Sequence, residues 1–260
     1  MEYPGSPETV TREVRGRSWA RRGKAVLLAA ALAAAGGVVG NPGLHANLFS
    51  RARVRGILFP DISAWQTVHD WDALARASHG IVAIKVREYH VDPKFHRDLH
   101  QAERRGMIVI GYDFAHGGSG RAQADAFLKV FPIKPGRIAM LDFERNPDGR
   151  SMTIHEAAAF AKRIHERTGR YPILYGSMFM RTPGVLAKCP RYIPVYLSHG
   201  AHPPKGADIW QFTDGVYGPG PHRFPGVGHC DINKLLVPFS TVLRWAGLEP
   251  KAELLALKNP

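Results

Sequence analysis

The sequence predicts an α/β fold, a TIM-like (β/α) barrel with reduced helices in its C-terminal half. Three observations carry this expectation. From Gly56 onward, short apolar runs alternate with helix-like stretches, as βαβ units require. The globular part holds about 200 residues, the low end for eight βα units, so the later helices should be short or missing. No glycine-rich phosphate loop follows any strand, which removes the usual support for the alternative, a doubly wound open sheet.

The expected strands are Ile57–Ile62, Ile81–Val86, Met107–Tyr112, Ile138–Phe143, Tyr171–Tyr175, Tyr192–Leu197, Ile209–Phe212 and a weak one near Cys230–Ile232. Most are continuous apolar runs with β-branched members, the pattern of strands covered on both faces. Helix-like stretches lie at Trp71–Ser78, Pro93–Arg105, Arg121–Val130, Thr153–Arg167 and Met178–Ala187. Asp92-Pro93 and Ser151-Met152-Thr153 are helix-start signals. Gly106 and Gly169 fall just past helical stretches, where glycine ends a helix in the left-handed conformation.

Ahead of the barrel, residues 1–24 are polar and Arg-rich, and residues 25–40 carry no charge. A basic stretch before an uncharged run is the pattern of a secretory signal or a signal anchor, with a cytosolic Ala-rich helix as the bland alternative. Its 16 residues fall short of the ~20 of a comfortable membrane span. Export would place the folded domain in a bacterial periplasm or cell envelope, and an uncleaved run would anchor it in the inner membrane. Residues 41–55, with Asn41-Pro42-Gly43, read as a linker, residues 56–246 as the barrel and residues 247–260 as a tail. The net charge is +13; residues 1–55 hold nine Lys/Arg against three Asp/Glu, leaving +7 on the remainder. A basic globular part suits an anionic partner without choosing among nucleic acid, membrane surface and cell-wall polymer. Cys189 and Cys230 match no zinc spacing; they either pair after export or stay as buried thiols.

The stretch around which the chain is organised is Arg137-Ile138-Ala139-Met140-Leu141-Asp142-Phe143-Glu144. A buried strand there ends in two carboxylates separated by one aromatic. Residues i and i+2 of a strand share a side, with Cα atoms ~6.6 Å apart. Flexible side chains let two such carboxyls meet over a range of separations, so spacing alone does not assign their roles. Two acids at a strand mouth are costly unless solvent, a metal or a substrate uses them. In a barrel the chemistry sits where the strands end. The other ends carry Asp61-Ile62-Ser63-Ala64-Trp65-Gln66, Lys85-Val86-Arg87-Glu88, Tyr112-Asp113-Phe114, Tyr175, Trp210-Gln211-Phe212 and Asp231-Ile232-Asn233. Acids and aromatics converging on one rim are the chemistry of a carbohydrate cleft. Aromatic faces pack on sugar C–H surfaces, while carboxylates protonate the leaving oxygen and stabilise an oxocarbenium-like transition state.

These segments, with Val91-Asp92-Pro93-x-Phe95 and Gly111-Tyr112-x-Phe114, resemble glycoside hydrolase family 25, the Chalaropsis-type lysozymes, in the same order over roughly 56–245. The resemblance implies a modified barrel, cleavage of the β-1,4 bond between N-acetylmuramic acid and N-acetylglucosamine in peptidoglycan, retention of configuration, and no cofactor. It implies Glu144 as general acid/base. Asp142 would be nucleophile or orienter of the substrate's acetamido group. Asp61 and Asp231 would form the floor, and Trp65, Lys85, Glu88, Tyr112, Tyr175, Trp210 and Gln211 would contact substrate. A general acid needs a raised pKa, which a neighbouring carboxylate such as Asp142 would help supply.

The chain also departs from that pattern. Leu58-Phe59-Pro60 stands between the first-strand glycine and Asp61. Lys85-Val86-Arg87-Glu88-Tyr89 replaces Lys-Ala-Thr-Glu-Gly, Asp113 replaces the His of Tyr-His-Phe, and Tyr196 stands where the sixth strand usually has Trp. Arg87 and Asp113 leave open a hydrolase acting on another polysaccharide. A wall-binding barrel without activity is a further alternative, against which the intact Asp142 and Glu144 argue. The thirteen histidines, among them His116, His199, His202, His222 and His229, lack the i, i+4 helical spacing of a zinc site. A nucleic-acid module would explain the charge but not the acids gathered at the strand ends.

Overall fold

The computed structural model describes residues 56–176, 184–194, 202–203 and 205–248. The N-terminal run, the first part of the helix expected at Met178–Ala187 and the end of the strand expected at Tyr192–Leu197, with Tyr196, lie outside them. Among the described residues no helix is long and apolar enough to cross a membrane.

Eight strands close into a barrel: β1 (Leu58–Ile62), β2 (Ile81–Arg87), β3 (Ile108–Phe114), β4 (Arg137–Asp142), β5 (Ile173–Tyr175), β6 (Arg191–Ile193), β7 (Ile209–Thr213) and β10 (Asp231–Leu235). Between β7 and β10 sits a small antiparallel hairpin, β8 (Arg223–Phe224) with β9 (Gly228–His229). Helices α1 (Trp71–Ala77), α2 (Phe95–Arg104), α3 (Gly120–Val130) and α4 (Ile154–Thr168) follow the first four strands, and α5 (Phe239–Trp245) ends the described chain. After β5 comes a 3₁₀ turn, Gly184–Lys188. Among the described residues the helices are therefore reduced in the second half, as the length requires.

One strand departs from the parallel order of a (β/α) barrel. The barrel is not wholly parallel, because β10 runs antiparallel to both β1 and β7. The β7–β10 connection carries a hairpin and no crossover helix, and only a crossover can return a chain parallel to its predecessor.

Three of the helices, α1, α3 and α4, begin where the sequence provides caps. Asp70 accepts from the amides of Asp72 and Ala73 at 3.0 and 2.8 Å, Ser119 caps α3, and Thr153 with Glu156 forms a capping box on α4. Helix α2 starts two residues later than Pro93, because Asp92 spends its carboxylate on the turn instead. One oxygen accepts from the Lys94 amide at 2.9 Å, the other from the Ala64 amide at 2.8 Å. Gly169 ends α4 at φ 71°. Gly120 is required at the start of α3, since a Cβ there would run into the Glu156 carbonyl of α4.

Alternation divides the strands into two cores. Outward residues such as Val82, Ile84, Val109, Ala139, Leu141, Phe143, Leu174 and Trp210 pack beneath the helices with Phe95, Phe127, Phe131 and Phe160. Inward residues Phe59, Ile81, Ile108, Ile138, Ile173, Ile209 and Leu235 fill the barrel and meet Phe239, Val242, Leu243 and Ala246 of α5. That helix closes the end where the strands begin, with Gly136, ahead of β4, donating to the Ala246 carbonyl at 2.9 Å. The opposite end is free for chemistry. Cys189 and Cys230 are both buried free thiols.

Candidate active site

The upper barrel interior is polar. Asp61 and Asp231 are direct partners across the β1–β10 ladder. Asp231 reaches the rim from the first residue of an antiparallel strand, not from the end of a parallel one. The amide of Gln211 lies between the two acids, donating to Asp231 Oδ2 at 3.1 Å and Asp61 Oδ2 at 3.4 Å. Its orientation is fixed because Tyr175 Oη donates to Gln211 Oε1 at 2.9 Å, leaving the NH₂ side for the acids. Tyr192 Oη at 3.3 Å and Asn233 Nδ2 at 3.4 Å also donate to Asp61 Oδ2. Tyr175 and Tyr192 meet edge-to-face with centroids 4.9 Å apart. Burial and the surrounding carboxylates push the hydroxyls of Tyr112 and Tyr192 well above the ordinary phenol value, so both remain donors.

Asp142 is the last residue of β4, opposite Phe114 on β3 and Tyr175 on β5. It is buried, and its Oδ1 has no hydrogen-bond partner. Burial first, then the charge of Glu144, lifts its carboxyl well above the ordinary value, with Asp61 and Asp231 adding to the rise and Lys85 opposing it. Glu144 stands two residues on, half-buried, just past the strand. Phe143 turns into the outer core and its amide donates to the Tyr175 carbonyl at 2.7 Å, which extends the strand-like path and brings Asp142 and Glu144 to one side. The charge of Glu144 thus adds to burial in favouring a proton on Asp142.

The family model for glycosyl hydrolases family 25 matches residues 60–221, well over half of the chain. The chain belongs to glycosyl hydrolase family 25. Similar solved structures include a bacterial lysozyme from Streptomyces coelicolor, 26% identical with TM-score 0.61, covering 74% of this chain and 97% of that one. A family GH25 lysozyme from Aspergillus fumigatus is 25% identical with TM-score 0.60, covering 73% and 98%. A muramidase from Acremonium alcalophilum is 25% identical with TM-score 0.58, again covering 73% and 98%. No curated protein sequence matches the chain.

This family 25 chain brings most of the expected residues together. Asp61, Asp142, Asp231, Lys85, Tyr112, Tyr175 and Gln211 lie on inward positions of the upper barrel, and Glu144 joins them at its mouth. Trp210 does not: it neighbours the inward Gln211, so it points the other way and packs with Phe212 at a centroid distance of 5.7 Å. Trp65 is exposed on the β1 loop, which Asp92 ties down through the Ala64 amide. Lys85 Nζ bonds Glu88 Oε2 at 3.0 Å and stands over the Phe114 ring at 4.8 Å. Glu88 Oε1 accepts from Asn146 Nδ2 at 3.1 Å. Glu88 therefore works as a positioning residue, binding the loop after Glu144 to β2. Among the described residues no three or more His, Cys, Asp or Glu side chains are grouped to hold a metal ion.

Tyr192 and Asn146 are site residues that sequence reasoning did not single out, and Asn233, quoted in the rim motif, was given no role there. For Tyr192 and Asn233 the signal was present. Strand alternation puts Tyr192 beside inward Tyr175, and Asn233 two residues after Asp231 on the same face. Asn146 lies in a loop and has no such signal.

Two departures from the family pattern prove to be one feature. A register shift between Lys85 and Arg87 brings Arg87 opposite Asp113. There Arg87 Nη1 bonds both carboxylate oxygens, at 3.1 and 3.2 Å, with Asp113 fully buried. Burial lifts the Asp113 carboxyl well above its ordinary value, and the Arg87 guanidinium opposes the rise. The added acid and the added base answer each other and bring no net charge to the cleft.

Proposed function

We propose that this family 25 glycosidase is a muramidase that cleaves the β-1,4 bond between N-acetylmuramic acid and N-acetylglucosamine in peptidoglycan. The observation that carries the reading is the Asp142–Glu144 pair at the barrel mouth, facing the Asp61–Gln211–Asp231 floor. The lysozyme and muramidase names of the similar structures support it.

Glu144 is the general acid/base. It is the more accessible of the pair, so it can reach the leaving oxygen of a sugar seated at the barrel mouth and protonate it. Asp142, deeper and with an oxygen free of protein partners, faces the developing positive charge at the anomeric carbon, or holds the acetamido group that does so. Lys85 opposes, without cancelling, the burial and the Glu144 charge that favour its protonated form. Asp61 and Asp231, tied by Gln211, add negative potential below the oxocarbenium-like centre.

The test is digestion of purified peptidoglycan by the full-length protein, with products read by mass spectrometry. Products ending in reducing N-acetylmuramic acid are expected. Glu144→Gln should lower turnover by about 10²–10⁴-fold with unchanged thermal unfolding. Retained turnover would remove Glu144 from this role, and reducing N-acetylglucosamine ends would replace the muramidase reading. Peptidoglycan lies outside the cytoplasm, and residues 25–40 supply the means of reaching it as an anchor or signal. Full-length protein recovered in the cytosolic fraction of a bacterial host would refute that part.

A further inference from the structure

The Arg87–Asp113 pair does more than neutralise itself. Arg87 Nη2 also donates to the Tyr89 carbonyl at 3.3 Å. The turn beyond it is closed by the Glu88 amide on the His90 carbonyl at 3.0 Å, the Asp92 amide on the Val86 carbonyl at 2.9 Å and a backbone bridge between Arg87 and Val91. Its apex residue, Tyr89, is 46% exposed. One face of the Tyr89 ring is stacked on His116, at a centroid distance of 4.3 Å and 27° between planes. The His116 ring is itself held, with Nδ1 3.0 Å from the Gly117 carbonyl oxygen. Gly149, in the loop after Glu144, lets the phenol lie across it, since a Cβ there would be 2.7 Å from the hydroxyl.

Tyr89 is thus seated over loops from β2, β3 and β4, beside Glu88, whose oxygens bond Lys85 and Asn146. A large aromatic left in water yet fixed from behind and below is prepared for an apolar partner. Beside the carboxylates of a glycoside hydrolase, the partner with a matching flat C–H face is a pyranose ring.

We propose that Tyr89, backed by His116 and held by the Arg87–Asp113 pair, forms a sugar-stacking platform that binds a glycan residue flanking the scissile bond. Arg87, Asp113 and His116 are positioning residues; Tyr89 touches substrate. The proposal rests on the glycan-hydrolase reading and assigns a specific binding residue within it. It adds no chemical step, so it affects affinity and the length of glycan preferred.

The test measures dissociation constants of the full-length protein for peptide-free peptidoglycan oligosaccharides of increasing length, by calorimetry, alongside hydrolysis of the same chains. Tyr89→Ala should weaken the longer oligosaccharides about three- to tenfold, raise KM by a similar factor and leave the turnover of bound substrate little changed. Tyr89→Trp should bind as tightly as the parent or tighter. Arg87→Met should show the same KM-weighted loss, milder than Tyr89→Ala, at a temperature where both variants are folded. Unchanged affinity in Tyr89→Ala would overturn the platform, and so would a loss confined to peptide-bearing fragments, which would make Tyr89 a peptide contact. Parent protein that binds these oligosaccharides through Tyr89 without hydrolysing them would refute the enzymatic reading while upholding the platform.

Discussion

The two ends of the barrel interior are built from the same strands and obey opposite rules. At the lower end every inward side chain is apolar: Ile81, Ile108, Ile138, Ile173 and Ile209 meet the apolar face of α5, and all are buried. At the upper end, two or four residues further along, the inward positions are Lys85, Tyr112, Asp142, Tyr175 and Gln211. Close packing makes the lower end a source of stability. The upper end gathers four acids, keeps an Asp142 oxygen without a protein partner and depends on amide and phenol donors to hold the floor acids together. Stability and chemistry are thus segregated along one axis. A substitution at the lower end should cost stability and leave the chemistry of the folded protein untouched, whereas one among the upper acids should remove activity without costing stability.

The largest effect on stability should come from the plug. Phe239 is fully buried against the barrel interior, and Phe239→Ala should cost roughly 3–5 kcal/mol in denaturant unfolding. The pH profile of glycan hydrolysis by the folded protein should not change. A shift of that profile would mean that the lower core sets the electrostatics of the acids, and the segregation would fail.

How far the sequence shows this division differs from part to part. Strands β2 and β4 are legible as unbroken apolar runs because both faces are covered, and α4 is legible because Thr153 and Gly169 mark its ends. Helix α5 is not, since seven residues starting after Pro238 without a side-chain cap give no start signal and little periodicity. The direction of β10 depends on its connection, which local pattern does not encode. At the site, the acids are legible by their place at strand ends. Which of Trp210 and Gln211 faces inward follows from alternation only once one inward residue of β7 is known. The Arg87–Asp113 pair rests on a register shift between strands 26 positions apart, so the two residues read as separate additions of charge when they are one contact.

A smaller effect, of opposite sign, should appear at Asp142. Burial and the charge of Glu144 raise its folded-state pKa above the unfolded value. Between those two values the native state keeps a proton that the unfolded chain has released. This group's contribution to stability is therefore most favourable below the unfolded pKa. It declines as pH rises through the ordinary aspartate range toward the raised value, and stays low above it. Asp142→Asn removes the ionisation, so at neutral pH it should stabilise the fold by about 1–2 kcal/mol while abolishing hydrolysis. Unfolding followed by urea at several pH values checks both points: parent and variant should agree in acid and diverge as the pH rises, with the variant the more stable. A variant less stable than its parent at neutral pH would show that the Asp142 carboxylate is held by compensating contacts, and that the upper end of the barrel does not carry the strain assigned to it.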